Sequence, residues 1–168
     1  MSYDRAALAL DLTRDEGRRR MPYYDSVGAV TIGVGWNLSA HGLPEDVIDL
    51  LLDRAIRHAE ETLDAIQPRW RELDEPRQRV LLNMAFNLGP LRLVQFKAFW
   101  HWISEALELK HAECFNQAAL EMLDSTWAKQ VGARAQRLAA VMRGDEVRDR
   151  AAAYAREHDP FIDRGGGL

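Results

Sequence analysis

Apolar residues recur with the helical period of about 3.6 along nearly the whole chain, and the exception runs from Met21 to Val34. There Tyr, Val, Thr and Ile cluster around Ser26-Val27-Gly28-Ala29, which predicts a small hairpin in a helical protein. Ahead of it a first helix is predicted from about Asp4 to Asp15, with Ala6, Leu8 and Leu12 toward a core and Gly17 as its flexible exit. Glu16 therefore falls at a helix end facing the hairpin. After a polar turn from Asn37 to Gly42, Pro44 opens a long helix, and Glu45 and Asp46 suit its positive N-terminus. Its stripe Val47, Ile48, Leu51, Leu52, Ala55, Ile56, Ala59, Leu63, Ile66 keeps one apolar face for roughly 20 residues. At about 1.5 Å per residue that helix is long enough to join two lobes before Pro68 ends it.

A helix near Glu75 to Leu88, capped by Asp74 and stopped by Gly89-Pro90, is apolar almost all round and is predicted to be the central buried one. Phe96 to Leu109, Ala112 to Leu123 and Arg134 to Met142 follow as three more helices, the last stopped by Gly144. The pattern predicts a mainly α, α+β architecture in a single domain: a small lobe with the hairpin over 1–43, a connecting helix over 44–67, a helical lobe over 68–144 and an extension over 145–168. The extension has a short helical pattern around Val147 to Tyr154 and a glycine-rich end.

At 168 residues and 47% hydrophobic content the chain can bury a core of its own and is expected to be a monomer. With 22 basic against 26 acidic residues, overall charge gives no reason to expect nucleic acid as a partner. Cys114, the one cysteine, sits on an apolar helix face, and the five histidines lack metal-ligand spacing, so no disulfide, metal or cofactor is predicted. Gly33-Val34-Gly35 opens no dinucleotide fingerprint, because Leu38 stands at the third glycine position. Asp4, Arg5 and Asp11 interrupt any secretory apolar core, and no window reaches the roughly 20 apolar residues of a membrane span. The expectation is cytoplasmic synthesis without stable membrane insertion.

Glu16, Asp25 and Thr31 bring two carboxyls and a hydroxyl to one helix-to-hairpin crossing. Glycosidic cleavage needs one carboxyl to protonate the leaving oxygen and a second to stabilise charge or activate water. At the helix–hairpin junction Glu16 can be partly desolvated, which favours its proton-donating form, while Asp25 beside an exposed turn stays ionised. Thr31 on the returning strand can point the same way as Asp25 and hold a water for attack. By residue type and spacing alone, the pair reads as an ordinary helix-end glutamate and a turn-favouring aspartate.

Asp15-Glu16-Gly17, Tyr24-Asp25-Ser26-Val27-Gly28 and Thr31-Ile32-Gly33-Val34-Gly35 resemble the signature of the phage-type lysozymes, glycoside hydrolase family 24. The offsets of nine and six positions between Glu16, Asp25 and Thr31 match as well. Leu82-Asn83-Met84-Ala85-Phe86-Asn87-Leu88-Gly89 resembles that family's central helix, and Ser125-Thr126-Trp127 with Gly132-Ala133-Arg134-Ala135-Gln136-Arg137 its closing segment. The resemblance implies a lysozyme-like fold and an endolysin-type muramidase that cleaves the β-1,4 bond between N-acetylmuramic acid and N-acetylglucosamine in peptidoglycan. It implies Glu16 as general acid, Asp25 as second carboxylate, Thr31 as water holder with inversion at the anomeric carbon, and Arg134 near Glu16 to orient it. Phe86, Phe99 and Trp36 are the candidates for packing on sugar faces. The resemblance also implies synthesis in a bacterial host cytoplasm and action on the periplasmic cell wall after release, to which a separate membrane-permeabilising protein would give access.

Trp36 stands where a histidine commonly follows the Gly-x-Gly strand in that family, and the connection from Asn37 to Leu43 is short. Arg18-Arg19-Arg20 form a basic edge that suits a carboxylate-bearing polymer. Two other functions remain compatible with the residues. A lytic transglycosylase would need mainly one acid and would form an anhydro sugar; a non-catalytic wall-binding module would need neither carboxyl.

Overall fold

The computed structural model describes residues 3–144. In chain order they form α1 (Arg5–Glu16), β1 (Arg19–Tyr24), β2 (Val30–Gly33), β3 (Trp36–Asn37), α2 (Leu38–His41), α3 (Glu45–Ile66), a 3-10 turn (Trp70–Glu72), α4 (Glu75–Leu93), α5 (Lys97–Leu109), α6 (Ala112–Leu123), α7 (Thr126–Val131) and α8 (Ala133–Arg143). Two compact units divide within α3, after Arg54. The extension predicted over 145–168 lies outside the described residues. Among the described residues no helix is long and apolar enough to cross a membrane.

In the first unit Asp4 caps α1, its Oδ1 accepting from the N–H groups of Ala6 and Ala7 at 2.9 and 3.1 Å. Gly17, at φ 76°, closes the helix with its N–H on the Thr13 carbonyl. No residue of α1 is buried, and Leu8 and Leu12, predicted to face a core, are exposed. The apolar residues run consecutively from Ala6 to Leu10 and so wrap the helix instead of marking one face.

The sheet has the order β1-β2-β3, antiparallel throughout. Tyr23 lies opposite Thr31 and Tyr24 opposite Val30, with an irregularity between Arg19 and Tyr23. Thr31 in turn faces Asn37, and Ile32 faces Trp36. Neither β3 nor α2 is foreseen from the sequence, because two- and four-residue elements carry no period. Asn37 ends the strand and caps α2 by accepting from the Ala40 N–H at 2.9 Å.

The second unit carries the core. Leu63, Leu81, Met84, Leu93, Phe99, Ile103, Met122 and Met142 are all under 2% exposed. The long stripe of α3 is buried only late, at Ala59 and Leu63, while Ile48, Leu51, Leu52 and Ile56 are exposed. α5 packs on α6, α6 on α8, and α4 and α7 on α8. The predicted stop at Gly89-Pro90 is a kink: Gly89 takes φ 67°, and Pro90 starts further helical turns through Leu93. α7 is not predicted, though Ser125 caps it and Gly132 ends it. Cys114 is buried on α6, as its apolar setting predicts.

Arg77 ties this unit together. Its Nε donates to the Met142 carbonyl at 2.9 Å, its guanidinium pairs with Asp74, and its charge lies 3.9 Å from the Phe115 ring centroid. It thus satisfies a carbonyl at the end of α8 and a carboxylate at the start of α4. Arg77→Ala is expected to cost about 1–3 kcal/mol, read as a lower urea midpoint at unchanged slope.

Candidate active site

The turn after β1 is built on Asp25. Its backbone N–H donates to the Ala29 carbonyl at 3.0 Å, and its own carbonyl accepts from the Gly28 N–H at 3.1 Å. Oδ1 accepts from the N–H groups of Val27 at 3.0 Å and Ala29 at 2.8 Å, an arrangement that aspartate suits because its short side chain folds back on the following amides. Oδ2 is left facing Thr31, whose Oγ1 lies 3.5 Å away and also 3.4 Å from the Ala29 carbonyl.

Thr31 is 3% exposed, and among the described residues of the first unit no other is buried. A buried hydroxyl must be spent on partners. Here they are a carboxylate oxygen and a carbonyl, two acceptors that share its single O–H, which leaves the Thr31 oxygen able to accept from a third group such as a water. The arrangement offers an aspartate fixed by backbone amides and a hydroxyl beside its second oxygen.

Glu16 is the last residue of α1, three positions before β1 begins. It is exposed, so the desolvation predicted at the junction is missing: α1 buries nothing, and no apolar shell forms around its last residue.

Trp36 is 42% exposed; its Nε1 donates to the Gly42 carbonyl at 2.7 Å and its ring lies tilted against His41 at 5.5 Å. The indole is therefore pinned at one edge with part of its surface open. Phe86, on α4, is 51% exposed. Phe99, also named from sequence for sugar contact, is a correction. It is 1% exposed and packs edge-on against Trp100 and Phe96, and although it backs a concavity walled by Trp127 it leaves a sugar almost no ring surface to meet. Its spacing on α5 is that of a core position.

Arg134, at the start of α8, is half-buried and donates from Nε to Asn83 Oδ1 at 2.9 Å. Trp127 Nε1 donates to Asn87 Oδ1 at 2.8 Å. The sequence singles out neither asparagine as a partner, although two asparagines four positions apart in the otherwise apolar run from Val80 to Leu88 are the available signal. Next to Trp127, in the second unit, lies a concavity of about 470 Å³ with Phe96 and Trp127 among its aromatic walls and Arg92, Lys97, Glu121 and Asp124 as its charged ones.

A small antiparallel sheet near the N-terminus followed by helices is the α+β lysozyme-like fold. The chain is 22% identical over 167 residues to a Dictyostelium discoideum protein named probable T4-type lysozyme 2, a likeness covering 82% of this chain and 94% of that one. It supports a lysozyme-like family for this chain. No family model matches the chain.

Proposed function

We propose that the protein is a muramidase hydrolysing the β-1,4 bond between N-acetylmuramic acid and N-acetylglucosamine in bacterial peptidoglycan, of the endolysin type of glycoside hydrolase family 24. The observation that carries this is the amide-fixed Asp25 with its Oδ2 beside the buried Thr31 hydroxyl, in the hairpin that follows Glu16. The likeness to a protein named as a lysozyme supports it.

In this mechanism Glu16 gives its proton to the glycosidic oxygen as the bond to the anomeric carbon breaks. A water held between Thr31 Oγ1 and Asp25 Oδ2 attacks that carbon from the opposite face, and Asp25 takes the water's proton. The products are a reducing sugar, a Glu16 carboxylate and a protonated Asp25, restored by proton exchange with solvent. Glycan binding supplies the exclusion of water from Glu16 that the free chain lacks. Arg134 as the residue orienting Glu16, and Phe86 and Trp36 as sugar contacts, belong to the same proposal.

Thr31→Val keeps the shape and removes the hydroxyl. It is expected to slow clearing of outer-membrane-permeabilised bacteria by about 100-fold. Mass spectrometry of muropeptides released by the wild type in ¹⁸O water tests the reaction itself. One ¹⁸O at each new reducing end is expected; anhydro-muramic ends without ¹⁸O would overturn hydrolysis in favour of transglycosylation.

A further inference from the structure

Arg19 is the one arginine of the Arg18-Arg19-Arg20 run whose head group the described residues hold in place. Its guanidinium carbon lies 4.3 Å from the centroid of the Tyr23 ring. The sheet register explains how. Arg19 pairs with Gly33 and Tyr23 with Thr31, and positions two apart on β2 share a face, so Arg19, Tyr23 and Thr31 lie on one side of the sheet. The irregularity between Arg19 and Tyr23 sets these two residues, four apart on β1, opposite β2 positions only two apart. Gly33, opposite Arg19, adds no side chain of its own beside the pair.

Several arginines are neutralised by carboxylates: Arg14 by Asp11 and Asp15, Arg69 by Glu72 and Glu108, Arg71 by Asp64, Arg77 by Asp74. Among the described residues Arg19 has the tyrosine face and no carboxylate. A ring restrains the guanidinium while leaving its N–H fork unspent, and that fork matches a carboxylate in two parallel hydrogen bonds. Tyr23 is the cross-strand neighbour of Thr31, at a Cβ separation of about 5 Å for such pairs, so the free fork stands one side chain from the proposed water site.

We propose that Arg19, positioned by Tyr23, is a subsite for a carboxylate carried by the glycan strand, and that it selects carboxylate-substituted strands over neutral ones. This inference rests on the muramidase assignment and deepens it. The carboxylate has two sources in the wall polymer: the stem peptide, or the lactyl group of muramic acid once the peptide has been removed.

The test uses the full chain with Glu16→Gln to suppress turnover, with and without Arg19→Gln or Arg19→Lys, co-sedimented with purified insoluble peptidoglycan. Three forms of the polymer are compared: native, with free carboxyls converted to amides, and stripped of stem peptides by an amidase, the last, soluble once its cross-links are gone, being coupled to beads through its reducing ends so that it sediments. Arg19→Gln is expected to weaken binding to native wall by about 3- to 10-fold, and Arg19→Lys by less, with no change on the amidated form. On stripped strands, persistence of the difference shows that the lactyl carboxylate is accepted as well, and its disappearance restricts the subsite to the stem peptide. Binding to native wall that is the same with and without Arg19→Gln, or an equal penalty on native and amidated wall, overturns the subsite. Either result leaves the muramidase assignment standing so long as the protein that retains Glu16 still releases muropeptides. If the protein that retains Glu16 neither binds wall nor releases muropeptides, both readings fall.

Discussion

Glu16→Gln is expected to lower the rate of wall clearing by at least about 1,000-fold while leaving the melting temperature unchanged or slightly higher. The amide fills the space of the carboxyl but has no proton of comparable acidity to give to the leaving oxygen. The stability half of the expectation comes from position. Glu16 ends α1, where backbone carbonyls present the negative end of the helix dipole, and a carboxylate there is locally unfavourable by about 0.3–1 kcal/mol. Nothing in α1 is buried, so the substitution disturbs no packing. The measurement pairs a turbidity assay on permeabilised cells with thermal unfolding of the same preparation. Clearing at the wild-type rate removes Glu16 as the acid, and a large fall in melting temperature would mean that its role is structural.

The parts of the fold that the sequence reveals are those where one period covers many residues. α3, α5 and α6 follow the predicted spans closely because each runs for 12 residues or more with its own apolar pattern. The hairpin is visible for a different reason: β-branched and aromatic residues flank a turn with glycine at its end, and Asp25 is the residue whose side chain organises that turn. α2 and α7 escape because they span four and six residues, and only their caps, Asn37 and Ser125, announce them. At Gly89-Pro90 the usual stop signal acts as stop and restart together, since glycine supplies the positive φ and proline is pre-set for a first helical position.

The candidate site divides in the same way. Asp25 and Thr31 sit six apart across a short turn, so local geometry brings them together, and their spacing carries that information. Arg134 with Asn83, and Trp127 with Asn87, join residues 40 or more positions apart. Such pairs depend on how α4, α7 and α8 pack, which no local pattern encodes. The exposure of Glu16 is invisible for the related reason that desolvation depends on what surrounds a residue, and here α1 buries none of its own.

Phe99→Ala is the second large effect, expected in stability. Phe99 is 1% exposed, with ring centroids 5.0 Å from Trp100 and 6.4 Å from Phe96, both edge-on, and Phe96 in turn lies 6.2 Å from Trp127. Removing the ring leaves a cavity at the centre of an aromatic cluster whose members are held by their own contacts, so collapse around it is limited. The expected loss is about 3–5 kcal/mol, a large fraction of the 5–15 kcal/mol typical of a folded domain. At about 2–4 °C per kcal/mol for a chain of this size, the melting temperature falls by roughly 6–20 °C. Phe86→Ala supplies the contrast. That side chain is 51% exposed, so its removal is expected to change stability by no more than about 0.5 kcal/mol, and any effect belongs in KM for wall polymer. The pair of variants therefore separates a core ring from a contact ring on the same preparation. A Phe99→Ala protein that melts like the wild type but shows a raised KM would place that ring against the sugar after all.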